Sequence, residues 1–114
     1  MTIGERVIGD ITILDIGGRM AVQDGADAFR EAVQQLVSQG RLKLVVNFQA
    51  VPYIDSTALG EMVRAYTSIT RRGGSLKLLS LTTRVHELLT MTGLLSVFDC
   101  VDTERKALES VGNP

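Results

Sequence analysis

The sequence predicts an α/β domain whose sheet is mostly parallel and opens with an antiparallel hairpin. Two β-rich segments lie close together near the start, and strand-like and helix-like segments alternate through the later two-thirds. The centre of residues 42–48 is continuously apolar, which is typical of a parallel strand buried on both faces. The alternation predicts right-handed crossovers between parallel strands. The pattern does not decide whether the helices cover one face of this sheet or both.

The first elements are a hairpin and a helix. Residues 5–8 and 11–16 predict two short strands, and Gly9-Asp10 between them predicts a two-residue turn. Residues 22–38 carry apolar side chains at spacings of three and four, which predicts an amphipathic helix. Asp24 near its start and Gly40 just past its end agree with the usual residues at helix ends.

The remaining elements continue the alternation. Pro52 cannot donate to a ladder, so the strand at residues 42–48 ends before it. The predicted elements that follow are helices at 57–72, 83–92 and 103–111 and strands at 75–81 and 96–101. The first of these helices has a predicted inner face of Leu59, Met62, Val63, Tyr66, Ile69 and Thr70. A length of 114 residues fits one domain, residues 1–114.

Composition argues against several classes of function. The net charge is -1 and aromatic residues make up 4% of the chain, so neither a basic stripe nor a base-stacking set predicts nucleic-acid binding. One cysteine and one histidine allow no internal disulfide and no ordinary zinc site. No apolar run approaches about 18 residues and no secretory signal is recognisable, so we expect a cytoplasmic protein without a membrane span.

Catalytic motifs are not found in the sequence. No nucleophile elbow, Walker loop or G-x-G-x-x-G turn occurs. His86 lies on a predicted helix far from any nucleophile pattern, and Asp55 and Glu61 have no further groups around them. We therefore expect no enzymatic activity, no cofactor and no metal.

The segment Asp55-Ser56-Thr57 has two interpretations. All three residue types are preferred helix N-caps, so the segment could simply begin the helix that follows. It also lies at the carboxyl end of a predicted parallel strand, where loops face outward and carry function. A phosphate on Ser56 would add about -1.5 to -2 charge where a helix N-terminus tolerates it. A partner docked there would be repelled.

Gly60 and Arg64 extend the candidate surface along the helix. Glycine inside a helix costs up to about 1 kcal/mol relative to alanine, so Gly60 marks either close packing, a tolerated defect or a flat contact with another chain. Gly60 lies one turn from Ser56, away from the predicted inner face. Arg64 lies further along the outer side and is a candidate contact residue.

Two sequence blocks resemble a known family. The segment VPYIDSTALGEMVRAY, residues 51–66, is similar to the Asp-Ser-Ser/Thr-Gly-Leu-Gly signature of STAS domains of the bacterial anti-sigma-factor antagonists. Asp55, Ser56, Thr57, Leu59 and Gly60 match it, while alanine replaces its first glycine. The segment RVHELLTMTGLLSVFDCVDTERKAL resembles the last third of the family, and GSLKLLSL fits the strand between the two blocks. The similarity extends over nearly the whole chain.

The resemblance implies a fold and a function. The fold would be a mixed sheet of four or five strands with four or five helices. The unphosphorylated protein would bind an anti-sigma factor that is also a serine kinase, and so release the sigma factor. That kinase would phosphorylate Ser56 and end the binding, and a serine phosphatase would reset the protein. We expect a monomer or weak dimer that does not bind nucleic acid directly.

Two departures and two alternative functions accompany this resemblance. The loop after the second strand often carries an acidic run in the family, but this chain has Gly-Arg-Met-Ala at residues 18–21. Arg19 and Met20 are therefore predicted partner contacts of altered specificity, and Thr57 is a second, less favoured phosphate acceptor. The alternatives are a scaffold subunit of a stress-sensing complex and an accessory subunit of a membrane lipid transporter.

Overall fold

The protein forms a five-stranded sheet with four helices in the computed structural model, which describes residues 1–112. In chain order the elements are β1 (Thr2–Ile8), β2 (Ile11–Gly17), α1 (Ala26–Ser38), β3 (Lys43–Ala50), α2 (Ser56–Arg71), β4 (Ser75–Leu79), α3 (Thr83–Met91), β5 (Asp99–Val101) and α4 (Glu104–Gly112). The strands lie in sequence order across the sheet. β1 pairs with β2 in antiparallel fashion, and all later pairs are parallel. The predicted α/β class with an opening hairpin is confirmed.

Helices cover both faces of the sheet, which the sequence left open. α1, α2 and α3 pack on one face, around a core that includes Phe29, Leu44, Met62 and Leu89. α4 covers the other face, where Ala107 and Val111 pack on side chains of β2, β3 and β4. The central strand, β3, is buried on both faces. Its alternate residues pack into the core under α1, α2 and α3 and into the core under α4.

The helix α1 begins four residues later than predicted. Residues 21–25 form a turn, in which the backbone N–H groups of Ala21 and Asp24 each donate to the other residue's carbonyl oxygen at 3.0 Å. Gly25, with φ at 100°, then redirects the chain into the helix. Asp24 does not cap α1, because its carboxylate pairs with the N-terminal amino group at 3.2 Å.

The strands β1, β4 and β5 also begin or end at residues other than those predicted. β1 begins three residues earlier than predicted because its whole length pairs with β2. β5 begins three residues later, since Val97 and Phe98 both donate to the Leu94 carbonyl and hold the preceding segment in a turn. β4 ends at Leu79, and the left-handed backbone of Ser80, φ 55°, turns the chain away from the sheet.

Candidate functional site

The candidate site lies where the loops after two neighbouring strands meet. The loop after β2 and the loop after β3 run side by side at the carboxyl end of the sheet. The Met20 N–H donates to the Tyr53 carbonyl at 3.1 Å, and the Asp55 N–H donates to the Met20 carbonyl at 3.2 Å. A parallel bridge between Met20 and Ile54 completes the contact. These contacts fix the start of α2 to the loop after β2.

Asp55 is the N-cap of α2 and also connects the two loops. Its Oδ1 accepts the Ala58 N–H at 2.8 Å, while its Oδ2 accepts the Val22 N–H at 2.9 Å. These bonds, above all the one from Ala58, hold the pKa of the Asp55 carboxyl below its ordinary value. Both carboxylate oxygens are therefore used by the fold.

Ser56 is the first residue of α2 and is exposed. Its hydroxyl makes no hydrogen bond to any other residue in the described part of the chain, residues 1–112. Thr57 beside it is also exposed. Of the three residues in the segment, Asp55 performs the capping that the sequence allowed to any of them. The two hydroxyl-bearing residues remain on the surface.

Gly60 continues this exposed surface one turn further along α2. Apart from its chain neighbours and the nearby backbone of α2 itself, a Cβ built on it would meet no described atom within 4 Å. Close packing within this chain is therefore excluded as the reason for the glycine. A tolerated defect and a flat contact for another chain remain as interpretations.

A groove separates the start of α2 from α3. Its volume is about 440 Å³, and Asp55 and Ser56 form part of its wall. The other lining residues are Tyr53, Ile54, Arg84, Glu87, Leu88 and Met91. Met91 is 83% exposed, more than the other exposed large apolar side chains in residues 1–112, Val7, Ile8, Val22 and Val97. We call this the α2–α3 groove.

The α3 side of this groove was missed by the sequence analysis. Arg84, Glu87 and Met91 belong to no motif, and only the packing of α3 brings them near Ser56. One signal was available, because helical spacing places Met91 away from the buried residues Val85 and Leu89. That spacing alone predicts that the Met91 side chain is exposed.

The loop residues Arg19 and Met20 have different positions. Arg19 is exposed, and its guanidinium lies 4.9 Å from the centre of the Tyr53 ring, next to the α2–α3 groove. Met20 is fully buried in the core below the two loops. The prediction that Met20 contacts a partner is wrong for its side chain, because the core encloses it.

Arg64 lies beside a different groove. It is 76% exposed and forms a 3.3 Å ion pair with Glu61, which is only 7% exposed. Both residues line a groove between α1 and α2, and Arg64 does not line the α2–α3 groove. The structure therefore brings Tyr53, Asp55 and Ser56 together but places Arg64 apart from them.

Neither a metal site nor a membrane-spanning helix is found in the described residues. Residues 1–112 contain no group of three or more His, Cys, Asp or Glu side chains arranged to hold a metal ion. None of the helices in the same range combines the length and apolar character that crossing a membrane requires.

Comparisons with known proteins give a consistent family. The STAS domain model matches residues 4–107. An anti-sigma-B factor antagonist of Bacillus subtilis is 36% identical over 86 residues, which is 75% of this chain and 77% of that protein. The crystal structure of a candidate anti-sigma factor antagonist from Thermotoga maritima superposes with a TM-score of 0.92 at 27% identity, covering 97% of this chain and 95% of the other.

SpoIIAA, an anti-sigma factor antagonist of Bacillus, shares the fold at lower sequence similarity. Its unphosphorylated form superposes with a TM-score of 0.78 at 16% identity, covering 99% of this chain and all of that one. Its phosphorylated form superposes with a TM-score of 0.76 at 16% identity, covering 96% of this chain and 99% of that one.

Proposed function

The chain belongs to the STAS-domain family, and on this basis we propose that it is a phosphorylation-controlled anti-sigma-factor antagonist. The unphosphorylated protein binds an anti-sigma factor with serine kinase activity and so frees a sigma factor. Phosphorylation of Ser56 ends the binding, and a serine phosphatase restores it. The protein acts in the cytoplasm as a monomer or weak dimer, without an enzymatic activity or a cofactor of its own.

The observation that carries this proposal is the state of the Ser56 hydroxyl. It lies on the surface at the wall of a groove, and residues 1–112 provide it with no hydrogen-bond partner. A kinase can therefore reach it without unfolding the helix. A phosphate at the first position of α2 also lies at the positive end of the helix dipole, so it need not disrupt the helix.

The switch itself follows from charge. Asp55 already places one carboxylate next to Ser56, and it already accepts the Ala58 N–H that a phosphate would otherwise compete for. The added charge of about -1.5 to -2 would therefore be stabilised mainly by hydration. A partner that covers the α2–α3 groove would have to desolvate this charge beside Asp55, which is costly without a matching cation.

The proposed contact surface combines the exposed residues near this charge. It consists of Ser56, Thr57 and Gly60 on α2, Arg19 on the neighbouring loop, and the α3 side of the groove. Asp55 contributes indirectly, because its two hydrogen bonds position the loops. SpoIIAA, which shares the fold, is known in a phosphorylated form, which supports the compatibility of the fold with a phosphate.

The proposal is tested by measuring binding to a candidate anti-sigma factor with serine kinase activity from the same organism. We expect Ser56→Asp to weaken binding by about 10- to 100-fold, since each tenfold corresponds to about 1.4 kcal/mol. Ser56→Ala should bind as the wild type does. Its free energy of unfolding should stay within about 0.5 kcal/mol of wild type, because the hydroxyl makes no bond in the fold.

The matched control is Ser110→Asp, which adds the same charge on α4 at the other face of the sheet. It should leave binding unchanged. Equal binding by wild type and Ser56→Asp would contradict the proposal. A stable complex with a transporter subunit that tolerates Ser56→Asp would favour the accessory-subunit alternative.

A further inference from the structure

A second groove lies between α1 and α2, and we call it the α1–α2 groove. Its volume is about 310 Å³, at the lower end of the range of small-molecule sites. Val33 and Val37 of α1 and Ala65 of α2 give it an apolar wall. The polar residues around it are Arg30, Gln34, Ser38, Glu61, Arg64, Ser68 and Arg72.

Glu61 is the unusual residue of this groove. Its side chain is 93% buried, and its Oε1 is held by the Arg64 guanidinium at 3.3 Å. Its Oε2 is sealed from solvent and has no hydrogen-bond donor among residues 1–112. A buried charged oxygen without a donor has lost its hydration with no hydrogen bond in exchange, so it is rarely left in that state without a reason.

The charges around Glu61 restrict what can satisfy it. Three arginines, Arg30, Arg64 and Arg72, line the same groove, and among the described lining residues Glu61 is the only acidic one. Arg30 has a partner outside the groove, because it binds Asp27 at 3.0 Å. A simple cation would be repelled by the arginines. A simple anion would leave the Glu61 oxygen without a donor.

We propose that the α1–α2 groove binds a small zwitterion that carries a primary ammonium group next to a carboxylate and an aliphatic portion. The class that fits is a free aliphatic amino acid. Once Arg64 turns away from Oε1, a rotation of the Glu61 carboxylate would present its oxygens to the ammonium group of the ligand. The ligand's carboxylate would pair with Arg64 and Arg72, and its side chain would contact Val33 and Val37. Arg64 can turn from Glu61 to the ligand at little cost because it is 76% exposed.

The site is independent of the Ser56 switch. The α1–α2 groove shares none of its lining residues with the α2–α3 groove. Both grooves nevertheless border the same helix, α2. A ligand in one and a protein partner on the other could therefore be bound together.

The test is a titration of the full chain with L-leucine, followed through the backbone amide signals of α1 and α2 by NMR. We expect saturable shifts with a dissociation constant of about 1 mM or below, which corresponds to about -4.1 kcal/mol or more. N-acetyl-L-leucine lacks the ammonium group, and 3-methylbutylamine lacks the carboxylate. Each should bind at least about tenfold more weakly.

Two variants locate the binding. Glu61→Gln keeps the shape of the side chain but removes its charge, and it should weaken L-leucine binding by about tenfold or more. The control, Glu5→Gln, removes an exposed carboxylate from β1, outside both grooves, and should leave L-leucine binding unchanged. If Glu61→Gln fails to fold, Arg64→Ala provides a second test, because it removes the carboxylate contact and is expected to weaken binding similarly.

Three results would overturn the inference. The first is the lack of any saturable shift with L-leucine or with the other aliphatic amino acids. The second is equal binding of the amine or the acetylated compound, which would show that a zwitterion is not required. The third is L-leucine binding that both Glu61→Gln and Arg64→Ala leave unchanged.

Discussion

The α2–α3 groove and the α1–α2 groove each contain one carboxylate from α2 or its N-cap, but only that of Asp55 is fully hydrogen-bonded. Asp55 in the α2–α3 groove accepts two backbone N–H groups, one from α2 and one from the loop after β2. Glu61 in the α1–α2 groove has one oxygen in a 3.3 Å ion pair and one without a donor in residues 1–112. The fold uses Asp55 completely and leaves Glu61 incomplete.

This difference gives the two carboxylates different roles. Asp55 is a structural acid, because both of its oxygens bond to the backbone, whereas Glu61 keeps an oxygen that a ligand can satisfy. Because Asp55 is occupied, the chemically available group of the α2–α3 groove is its neighbour, the exposed Ser56 hydroxyl. Because Glu61 is incomplete, the carboxylate itself is the available group of the α1–α2 groove. The stability of variants at the two positions should therefore change in opposite directions.

The largest expected effect on stability is that of Asp55→Ala. This change removes the α2 cap and the bond to the Val22 N–H, and loss of a cap alone costs about 0.5–2 kcal/mol. We expect the free energy of unfolding in urea to fall by about 2 kcal/mol. Asp55→Asn keeps a capping oxygen and is the matched control, with a smaller loss. If alanine at this position cost nothing, Asp55 would not be the structural acid.

The effect of Glu61→Leu should be smaller and opposite in sign. The substitution removes the charged oxygen that has no donor and adds apolar contact to the wall of Val33 and Val37. We expect the free energy of unfolding to rise by about 1 kcal/mol, since replacing a buried charge with a well-packed apolar group is often stabilising. Arg64→Ala is the comparison variant and should lower the free energy of unfolding instead, because it leaves the buried Glu61 carboxylate without its ion-pair partner. A marked loss of stability in Glu61→Leu would make Glu61 a structural acid like Asp55.

The smallest effect is a difference in acid sensitivity. The pKa of Asp55 in the folded protein lies below its ordinary value of 3.8, so protonation favours the unfolded state. The stabilisation is present above that ordinary pKa and is lost as the pH falls through the lower, folded pKa. The free energy of unfolding, measured from pH 7 to pH 2, should therefore fall less steeply below about pH 4 for Asp55→Asn than for wild type. Parallel curves for the two proteins would contradict the assignment.

Other carboxyl groups with lowered pKa values should not affect the comparison of wild type with Asp55→Asn. The pKa of Asp15 is lowered mainly by its hydrogen bond from Arg6, and those of Asp10 and Asp102 are lowered mainly by lysines. All three are unchanged in Asp55→Asn. Their contributions to acid unfolding are therefore common to both proteins and cancel in the difference.

The order of strands and helices could be predicted from the sequence because it depends on local patterns. Apolar runs of two kinds, with periods near two and near 3.6, fix most elements independently of each other. The boundaries that were wrong depend on contacts between distant segments. The start of α1 is the clearest case, because Val22 is held by Asp55, 33 residues away.

The candidate site could be predicted in part for the same reason. Asp55 and Ser56 lie in a local motif, so the sequence was sufficient to find them. Met20 looked like a surface loop residue, but the contact between the two loops buries it. Glu61 was not recognised as buried, because an acidic residue on a helix is normally exposed and only the packing of α1 on α2 encloses it.

The most direct test of the account is intact-mass analysis after incubation with ATP and the candidate anti-sigma kinase, followed by peptide mapping. We expect a single phosphate on Ser56 and no phosphate on the Ser56→Ala variant. An unmodified protein, despite formation of the complex, would contradict the proposed switch. So would a phosphate on Thr57 or elsewhere that persists in Ser56→Ala, because the available hydroxyl of the α2–α3 groove would then not be the one the kinase uses.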